Sequence, residues 1–395
     1  MYGTDCGAHA LSLLLVYLFM LAFAVNEVDS DMADMKIVHV ETGRHFYGGA
    51  QQVIWLIQGL AERDVDSVLV CSAGTEIDSV AQRAGLRVVN IPCNGDLDLA
   101  FPIRLNRFLR CEQPDIVHCH SRRGGDLLGG WASLLSHKPA VVSRRVDSAE
   151  KSLIALLRYM PFQKIVAISE HIAAVLRDSR VDPKKLSVIR SAVDVNTVKK
   201  SAERRQLEEF GIRHNTFAIA VAAQLIKRKG HRFILNALPQ VLTLHPEVRV
   251  VFFGRGPERA RLIALARKLG VDNAVQFVGF RSDIDDYLAA FDLFVHSADK
   301  EGLGVSILKA SAAQLPVIAF DVAGCREAIV HMETGLLVPL YNQGKLCSAI
   351  GKLIEEPELR GAMGVAGRRR MLENFSVSKM VEGHIDIYSE LVHGQ

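Results

Sequence analysis

Glu301 lies in the stretch from His296 to Phe320, HSADKEGLGVSILKASAAQLPVIAF, where a strand-like end runs into Glu301-Gly302-Leu303-Gly304 and then a helix-forming run from about Val305. Glycines in such a turn allow close backbone approach, and the N–H groups at a helix N-terminus attract an anion. Glu301 stands beside that anion site as an acceptor for ligand hydroxyls. Pro316 then reopens a strand, and Ala323-Gly324-Cys325-Arg326-Glu327 makes a second turn entering a helix. The bland reading of these glycines is ordinary turn chemistry in a doubly wound fold. Other candidates carry less. The D-x-D triplets Asp64/Asp66, Asp96/Asp98 and Asp283/Asp285 read as solvated turns. His118-Cys119-His120 suggests metal ligands, but strand alternation turns Cys119 to the opposite face. No second ligand pair at metal-site spacing accompanies it, so no metal is expected. Gly254-x-Gly256 is a truncated dinucleotide fingerprint whose sixth position is Arg259, which sets a nicotinamide dehydrogenase aside. Neither a Walker loop nor a nucleophile elbow occurs.

These turns need strands that end in them and helices that begin there. Apolar runs at 36–40, 67–71, 86–91, 115–120, 140–143, 164–168 and 186–189 predict strands, with helix-period segments such as 102–110 and 171–177 between them. Val53, Leu56, Ile57 and Leu60 follow i, i+3, i+4, i+7 and form one helical face. Strands alternating with helices mean βαβ units and a parallel sheet. The rhythm lapses over the charged stretch 195–216, the expected linker. It restarts with strands at 217–222, 249–253, 274–278, 293–296 and 316–319 and helices at 233–242 and 257–269. The expected fold is α/β, with two doubly wound Rossmann-like domains over 35–195 and 196–375. A C-terminal helix, 376–395, is expected to pack back on the first. Such sheets bind ligands in the crevice beyond the C-terminal ends of their strands.

Composition narrows the class. The chain has 395 residues, 47 Lys and Arg against 44 Asp and Glu, 23% charged and 49% hydrophobic. That length suits two domains. A net charge of +3 is too balanced for an obligate nucleic-acid binder, and the chain is too apolar to be disordered. Residues 35–195 and 196–395 are each +4, and 1–34 carries five acids and no Lys or Arg. Seven cysteines, odd in number and without a C-x-x-C pair, predict reduced thiols in a cytosolic body. Residues 11–25 form an apolar run shorter than the roughly 20 residues of a bilayer span. An upstream translation start with the protein beginning at Met32 or Met35, a short membrane anchor, and a cleaved signal are the three readings of this segment.

In its order of motifs the chain resembles the family-4 glycosyltransferases of the two-Rossmann-domain (GT-B) type, over 35–391. The resemblance rests on Glu301-Gly302-Leu303-Gly304, Pro316-Val317 and Gly324–Glu327, preceded by Lys229-Gly230, Gly254-Arg255-Gly256-Pro257-Glu258 and Val278-Gly279-Phe280. In the first domain it rests on Gly48-Gly49-Ala50, on Asp115 to Ser121 (DIVHCHS), on Ala167-Ile168-Ser169-Glu170 and on Val188-Ile189. It implies two domains facing across a cleft and transfer from a nucleoside diphosphate sugar, with retention and with neither metal nor cofactor. By the same resemblance, Glu301 binds sugar hydroxyls and His120 meets the sugar from the opposing domain. Lys229 and the amides from Gly302 through Leu303 and Gly304 to Val305 steady the diphosphate. Gly48, Gly49, Gly254, Gly256, Lys309 and Glu327 complete the donor residues. Three positions depart from the pattern. Lys309 stands where a second glutamate usually grips the ribose, Ala223-Gln224 replaces a usual glycine-arginine, and Ser191-Ala192 replaces an asparagine-glycine.

On the acceptor side, Arg104, Arg107 and Arg110 share a helix face, and Arg122, Arg123, Arg144 and Arg145 add to a basic first domain. Arginines so placed suit an anionic, lipid-linked or lipopolysaccharide-type acceptor at a membrane surface. A solvated arginine-rich face is the alternative. The activity expected is transfer of a hexose to a cell-envelope glycan or glycolipid. The site expected is the cytoplasm, with peripheral attachment to the inner face of its membrane. A nucleotide-sugar epimerase of the same fold and an inactive nucleotide-sugar-binding partner are the other readings.

Overall fold

The computed structural model describes residues 35–120, 124–150, 152–199 and 202–394. They divide into two compact units: 35–142 with 161–163 and 385–394, and 143–160 with 164–384. The hydrophobic segment 1–34, Arg122 and Arg123 lie outside the described residues.

Strands β1 (Lys36–Val40), β2 (Asp66–Cys71), β3 (Val88–Asn90), β4 (Ile116–Cys119), β5 (Ala140–Arg144), β6 (Lys164–Ala167) and β7 (Leu186–Val188) form a sheet of order β3-β2-β1-β4-β5-β6-β7. A second sheet contains β8 (Phe217–Ala222), β9 (Val248–Phe253), β10 (Val275–Gly279), β11 (Leu293–His296), β12 (Val317–Phe320) and β13 (Gly335–Val338). Its order is β10-β9-β8-β11-β12-β13, and every pair is parallel. Parallel strands covered on both faces read as continuous apolar runs, as in FAIAVA of β8 and the VVFF that follows Arg249 in β9. Each strand order reverses once, between β1 and β4 and between β8 and β11. Ligands of doubly wound sheets bind at such switch points.

Helices of the connections are α1 (Gly48–Ala61), α2 (Glu76–Arg83), α3 (Phe101–Glu112), α4 (Gly125–Leu135), α5 (Ser152–Tyr159) and α6 (Glu170–Asp178). They continue as α7 (His231–Leu244), α8 (Arg259–Lys268), α9 (Val305–Ala312), α10 (Ala323–Ala328), α11 (Gln343–Glu355), α12 (Pro357–Asn374) and α13 (Val377–His393). The apolar face of α1 predicted at Val53, Leu56, Ile57 and Leu60 is fully buried. In the second unit, Ile234, Leu235, Leu238 and Val241 of α7 pack with Ile219, Val250, Phe252 and Val295 of the sheet and Ile350 and Leu353 of α11.

The charged stretch 195–216 is more than a linker. Leu207 and Phe210 of the 3-10 turn Arg204–Phe210 are buried, and Phe210 meets Phe253 edge to face. Buried Arg368 of α12 donates to the carbonyls of Val195 (2.8 Å), Val198 (3.3 Å) and Ala312. Arg205, Glu208 and Glu209 are exposed, whereas Arg204 turns inward onto Asp292 at 2.9 Å and joins the apolar residues in holding the segment down.

Candidate active site

In the second unit the strongest cluster lies beyond the C-terminal ends of β8 and β11. Lys229 belongs to the 3-10 turn Lys227–Lys229 that follows β8, and Gly230 ends that turn at φ +67°. A Cβ on Gly230 would lie 1.9 Å from the Ser297 carbonyl oxygen, so only glycine lets this turn sit against the loop after β11. That loop brings Glu301 back onto the strand end. Its Oε2 contacts Lys229 Nζ and lies 2.8 Å from Nε2 of His296, the last residue of β11, while the Gly302 N–H donates to Oε1 at 3.2 Å. Burial alone would raise the Glu301 pKa, but the Lys229 charge and the His296 hydrogen bond outweigh it and hold the carboxyl well below the usual range. An ionised carboxylate only accepts, so His296 carries its proton on Nε2. Burial lowers the His296 pKa against the pull of Glu301, and burial with the nearby His296 and Lys229 lowers that of His231 to about 4. The result is a fixed carboxylate between one cation and one neutral imidazole.

Gly302, Leu303 and Gly304 follow at once. Gly304, at φ +82°, precedes α9, whose first turn from Val305 has no acidic side chain and no side-chain cap. The N-terminus of α9 is therefore electrostatically open to an anion. Gly324, in α10, packs on this loop from the other side. A Cβ there would meet the Glu301 carbonyl oxygen at 2.2 Å. Gly254 and Gly256 close against the backbone after β8, with a Cβ falling 1.9 Å from the Ala223 oxygen and 2.4 Å from that of Leu225. So these predicted glycines serve close backbone packing around Lys229 and Glu301. Lys309, one turn into α9, is bound by Asp285 at 2.7 Å. The Glu327 oxygens accept from the N–H groups of Glu170 (3.0 Å) and His171 (2.8 Å), capping α6.

In the first unit, His120 follows β4, and its N–H bonds to the Val40 carbonyl at the end of β1. His118 and His120 share one face, as alternation predicts, and His39 of β1 joins them because it is in register with His118. His39 Nδ1 lies 3.0 Å from His120 Nε2, and His118 Nδ1 lies 2.6 Å from the hydroxyl of Tyr388 on α13. The three imidazoles are buried, with possible ligand atoms all within 4.8 Å of one another. This donor set of three imidazoles suits zinc, copper, iron or nickel by type. The 3.0 Å contact, however, has the geometry of two rings sharing one proton. Gly48 and Gly49 open α1, whose first turn has neither a side-chain cap nor an acidic residue.

Arginines separate into distinct roles. Arg144 is buried and bonds Glu150 (2.9 Å) and the carbonyls of Val146 and Ser148, which orders the chain after β5. Arg145 is half-buried. Arg104 is held by Asp98 and the Pro92 carbonyl, both at 2.7 Å, leaving Arg107 and Arg110 exposed on α3. The acids read as solvated turns are largely engaged: Asp98 with Arg104, Asp96 with the Gly124 N–H, Asp283 with Arg281 and Asp285 with Lys309. Among the residues of these clusters, His39 and Tyr388 in the first unit and His296 and Asp285 in the second were not assigned roles from sequence. For His39 and His296 a signal existed, since each stands at or next to the C-terminal end of a strand beside a switch point.

Comparison with known proteins gives the same order of parts. Residues 47–197 match the family described as Glycosyltransferase Family 4, and 202–370 match Glycosyl transferases group 1. The chain is 25% identical to the UDP-Gal:alpha-D-GlcNAc-diphosphoundecaprenol alpha-1,3-galactosyltransferase of Escherichia coli, over 92% of this chain and 99% of that one. It is 24% identical to the lipopolysaccharide core biosynthesis glycosyltransferase LpsE of Rhizobium meliloti, over 89% and 98%. In structure it is similar to HepE of Anabaena, solved in complex with UDP and glucose, with a TM-score of 0.82 at 19% identity over 90% of this chain and 100% of HepE.

Proposed function

The chain belongs to the group 1 and family 4 glycosyltransferases of GT-B fold, and from that premise we propose that it moves a hexose from a nucleoside diphosphate sugar to a cell-envelope glycan or glycolipid, with retention and without a metal. The observation that carries this reading is the Lys229–Glu301–His296 cluster beside the uncapped N-terminus of α9. Bond breaking at the anomeric carbon puts negative charge on the departing diphosphate and positive charge on the sugar. The Lys229 ammonium and the first N–H groups of α9 are fixed donors for the first charge, and fixed donors cost no reorganisation when that charge develops. Glu301, kept ionised, takes sugar hydroxyls and lies on the side where positive charge grows. Its shared oxygen makes it a poor nucleophile, which favours a route without a covalent glycosyl-enzyme. His120 is assigned a contact with the transferred sugar. Relatives named for a diphosphoundecaprenol acceptor and for lipopolysaccharide core biosynthesis support an envelope acceptor.

A second reading, an inactive nucleotide-sugar-binding partner, draws on Lys309, which is tied to Asp285 where the family usually presents an acid. A panel of nucleotide sugars assayed with polyprenyl-diphosphate and lipopolysaccharide-core acceptors, with and without chelator, separates the readings. Transfer or free hydrolysis with one donor, insensitive to chelator and with the donor's anomeric configuration kept, is the expected result. A new sugar isomer would instead mean an epimerase, and binding without turnover the inactive partner.

A further inference from the structure

Helix α5 is built inside out. Its inward face is Ala155 and Tyr159, both buried, at i and i+4. Leu153, Leu156, Leu157 and Met160 follow i, i+3, i+4, i+7 on the solvent side, joined by Ile154. Leu153 is 69% and Leu156 62% exposed, and the other three are about half exposed. A soluble surface helix normally puts polar residues there, and a contiguous apolar stripe of this size marks an interaction surface. The single charged side chain within this stripe's span, Arg158, is turned inward onto Glu150 at 3.1 Å. Cations lie at its end: Lys185 Nζ reaches the Met160 carbonyl at 3.3 Å, and the next residue back, Lys184, is exposed.

We propose that α5 is an interfacial anchor that lays its Leu153–Leu156–Leu157–Met160 stripe into the surface of an anionic lipid bilayer. Eight residues rise only about 12 Å, far short of a bilayer, so the helix lies in the plane of the interface. Apolar side chains enter the headgroup boundary while Lys184 and Lys185 at the edge meet anionic headgroups. A second copy of this chain fits less well. Five half-exposed side chains offer a few hundred Å², below the roughly 800 Å² per partner of a stable interface. The inference deepens the envelope-acceptor reading and rests on it: a lipid-linked acceptor is met at the bilayer surface.

Hydrogen exchange on the full chain tests it, with mixed phosphatidylcholine–phosphatidylglycerol vesicles as the probe. Deuterium uptake over 152–160 should fall when vesicles are added and fall less with phosphatidylcholine alone. The triple variant Leu153→Ser, Leu156→Ser, Leu157→Ser should lose at least about tenfold in vesicle partitioning while keeping nucleotide binding. Both proteins carry the same apolar run at 11–25, so their difference reads α5. Uptake unchanged on vesicles overturns the proposal in the wild type, without reliance on the variant folding. Protection that appears with protein concentration in the absence of lipid also overturns it, and assigns the face to a second copy. Failure here with transfer intact leaves the acceptor reading standing. Docking by a chain that transfers no sugar leaves α5 an anchor and removes that reading instead.

Discussion

Replacing Glu301 with glutamine keeps the side chain's size and removes its charge, which makes it the sharpest probe of the donor cluster. In the native protein Oε2 serves both Lys229 Nζ and His296 Nε2, and the side chains of Glu301 and Lys229 are only 11% and 12% exposed. An amide oxygen still accepts from one neighbour but carries no net charge. Hydrogen bonds to charged groups are worth about 1.5–3 kcal/mol. If one is realised in the transition state, its loss slows kcat by roughly ten- to 150-fold. The same substitution leaves Lys229 as a mostly buried cation without its counter-charge. For a fully buried pair that costs about 3–5 kcal/mol, and the residual exposure here puts the expected loss below that range. A nucleoside diphosphate brings negative charge back. Thermal shift assays should therefore find Glu301→Gln less stable than wild type when empty but gaining more from added diphosphate. Steady-state kinetics should show kcat falling while the apparent affinity for the nucleotide holds or improves. An unchanged kcat, or a smaller diphosphate-induced shift in the variant, would refute the electrostatic argument.

Two further outcomes follow from pairs and burial in the second unit. Lys309→Glu sets a second carboxylate against Asp285, now 2.7 Å from the lysine, and should weaken donor binding; Asp285→Lys in the same chain should restore much of it. Calorimetry on the single and double variants decides, since no restoration would show that Lys309 acts on the donor without Asp285. His231, held by burial near a pKa of about 4 against an ordinary 6.5, stabilises the fold fully above pH 6.5. That contribution is lost as pH falls toward 4, to a full extent of about 3 kcal/mol. Urea midpoints of His231→Leu should vary less with pH over this window than those of wild type. His384, similarly lowered by burial to about 4, retains its own share. Equal slopes would disprove the assignment.

What the sequence made legible was local. The turn Glu301–Gly304, the Lys229-Gly230 turn and the Gly254–Gly256 pair could be read because glycine at a strand-to-helix turn has a local steric reason. The structure supplies that reason as carbonyl oxygens within 2.4 Å of the missing Cβ atoms at Gly230, Gly254 and Gly256. Strand positions were equally visible, since buried parallel strands are plain apolar runs. Strand β13 was missed: Gly335-Leu336-Leu337-Val338 is four residues long and opens on a glycine, and it is a strand because β12 lies alongside. Reading 195–216 as a linker weighed its many charges and not the spacing of Leu207 and Phe210, which is what anchors it.

Residues whose meaning depends on a distant partner were the ones sequence could not interpret. His118 and Tyr388 are 270 positions apart, His39 and His120 are 81 apart, and Lys309 and Asp285 are 24 apart. Each takes its role from strand order or helix placement, which set who meets whom. Lys309 shows the consequence. Alone in the sequence it is a positive charge where the family usually has a negative one, and it reads as damage to the donor site. In the fold it arrives with Asp285 attached, so the position contributes a neutral pair with a carboxylate oxygen still within it. With Asp285 in place, the pair is one unit more positive than an uncharged side chain at 309 would leave it, and two units more positive than an acid there. A donor site altered in charge alone is expected to shift its nucleotide preference before it loses nucleotide binding altogether. The charge-swapped double variant, Lys309→Glu with Asp285→Lys, keeps that pair neutral and reverses its direction. It separates the effect of net charge from the effect of which side carries the acid.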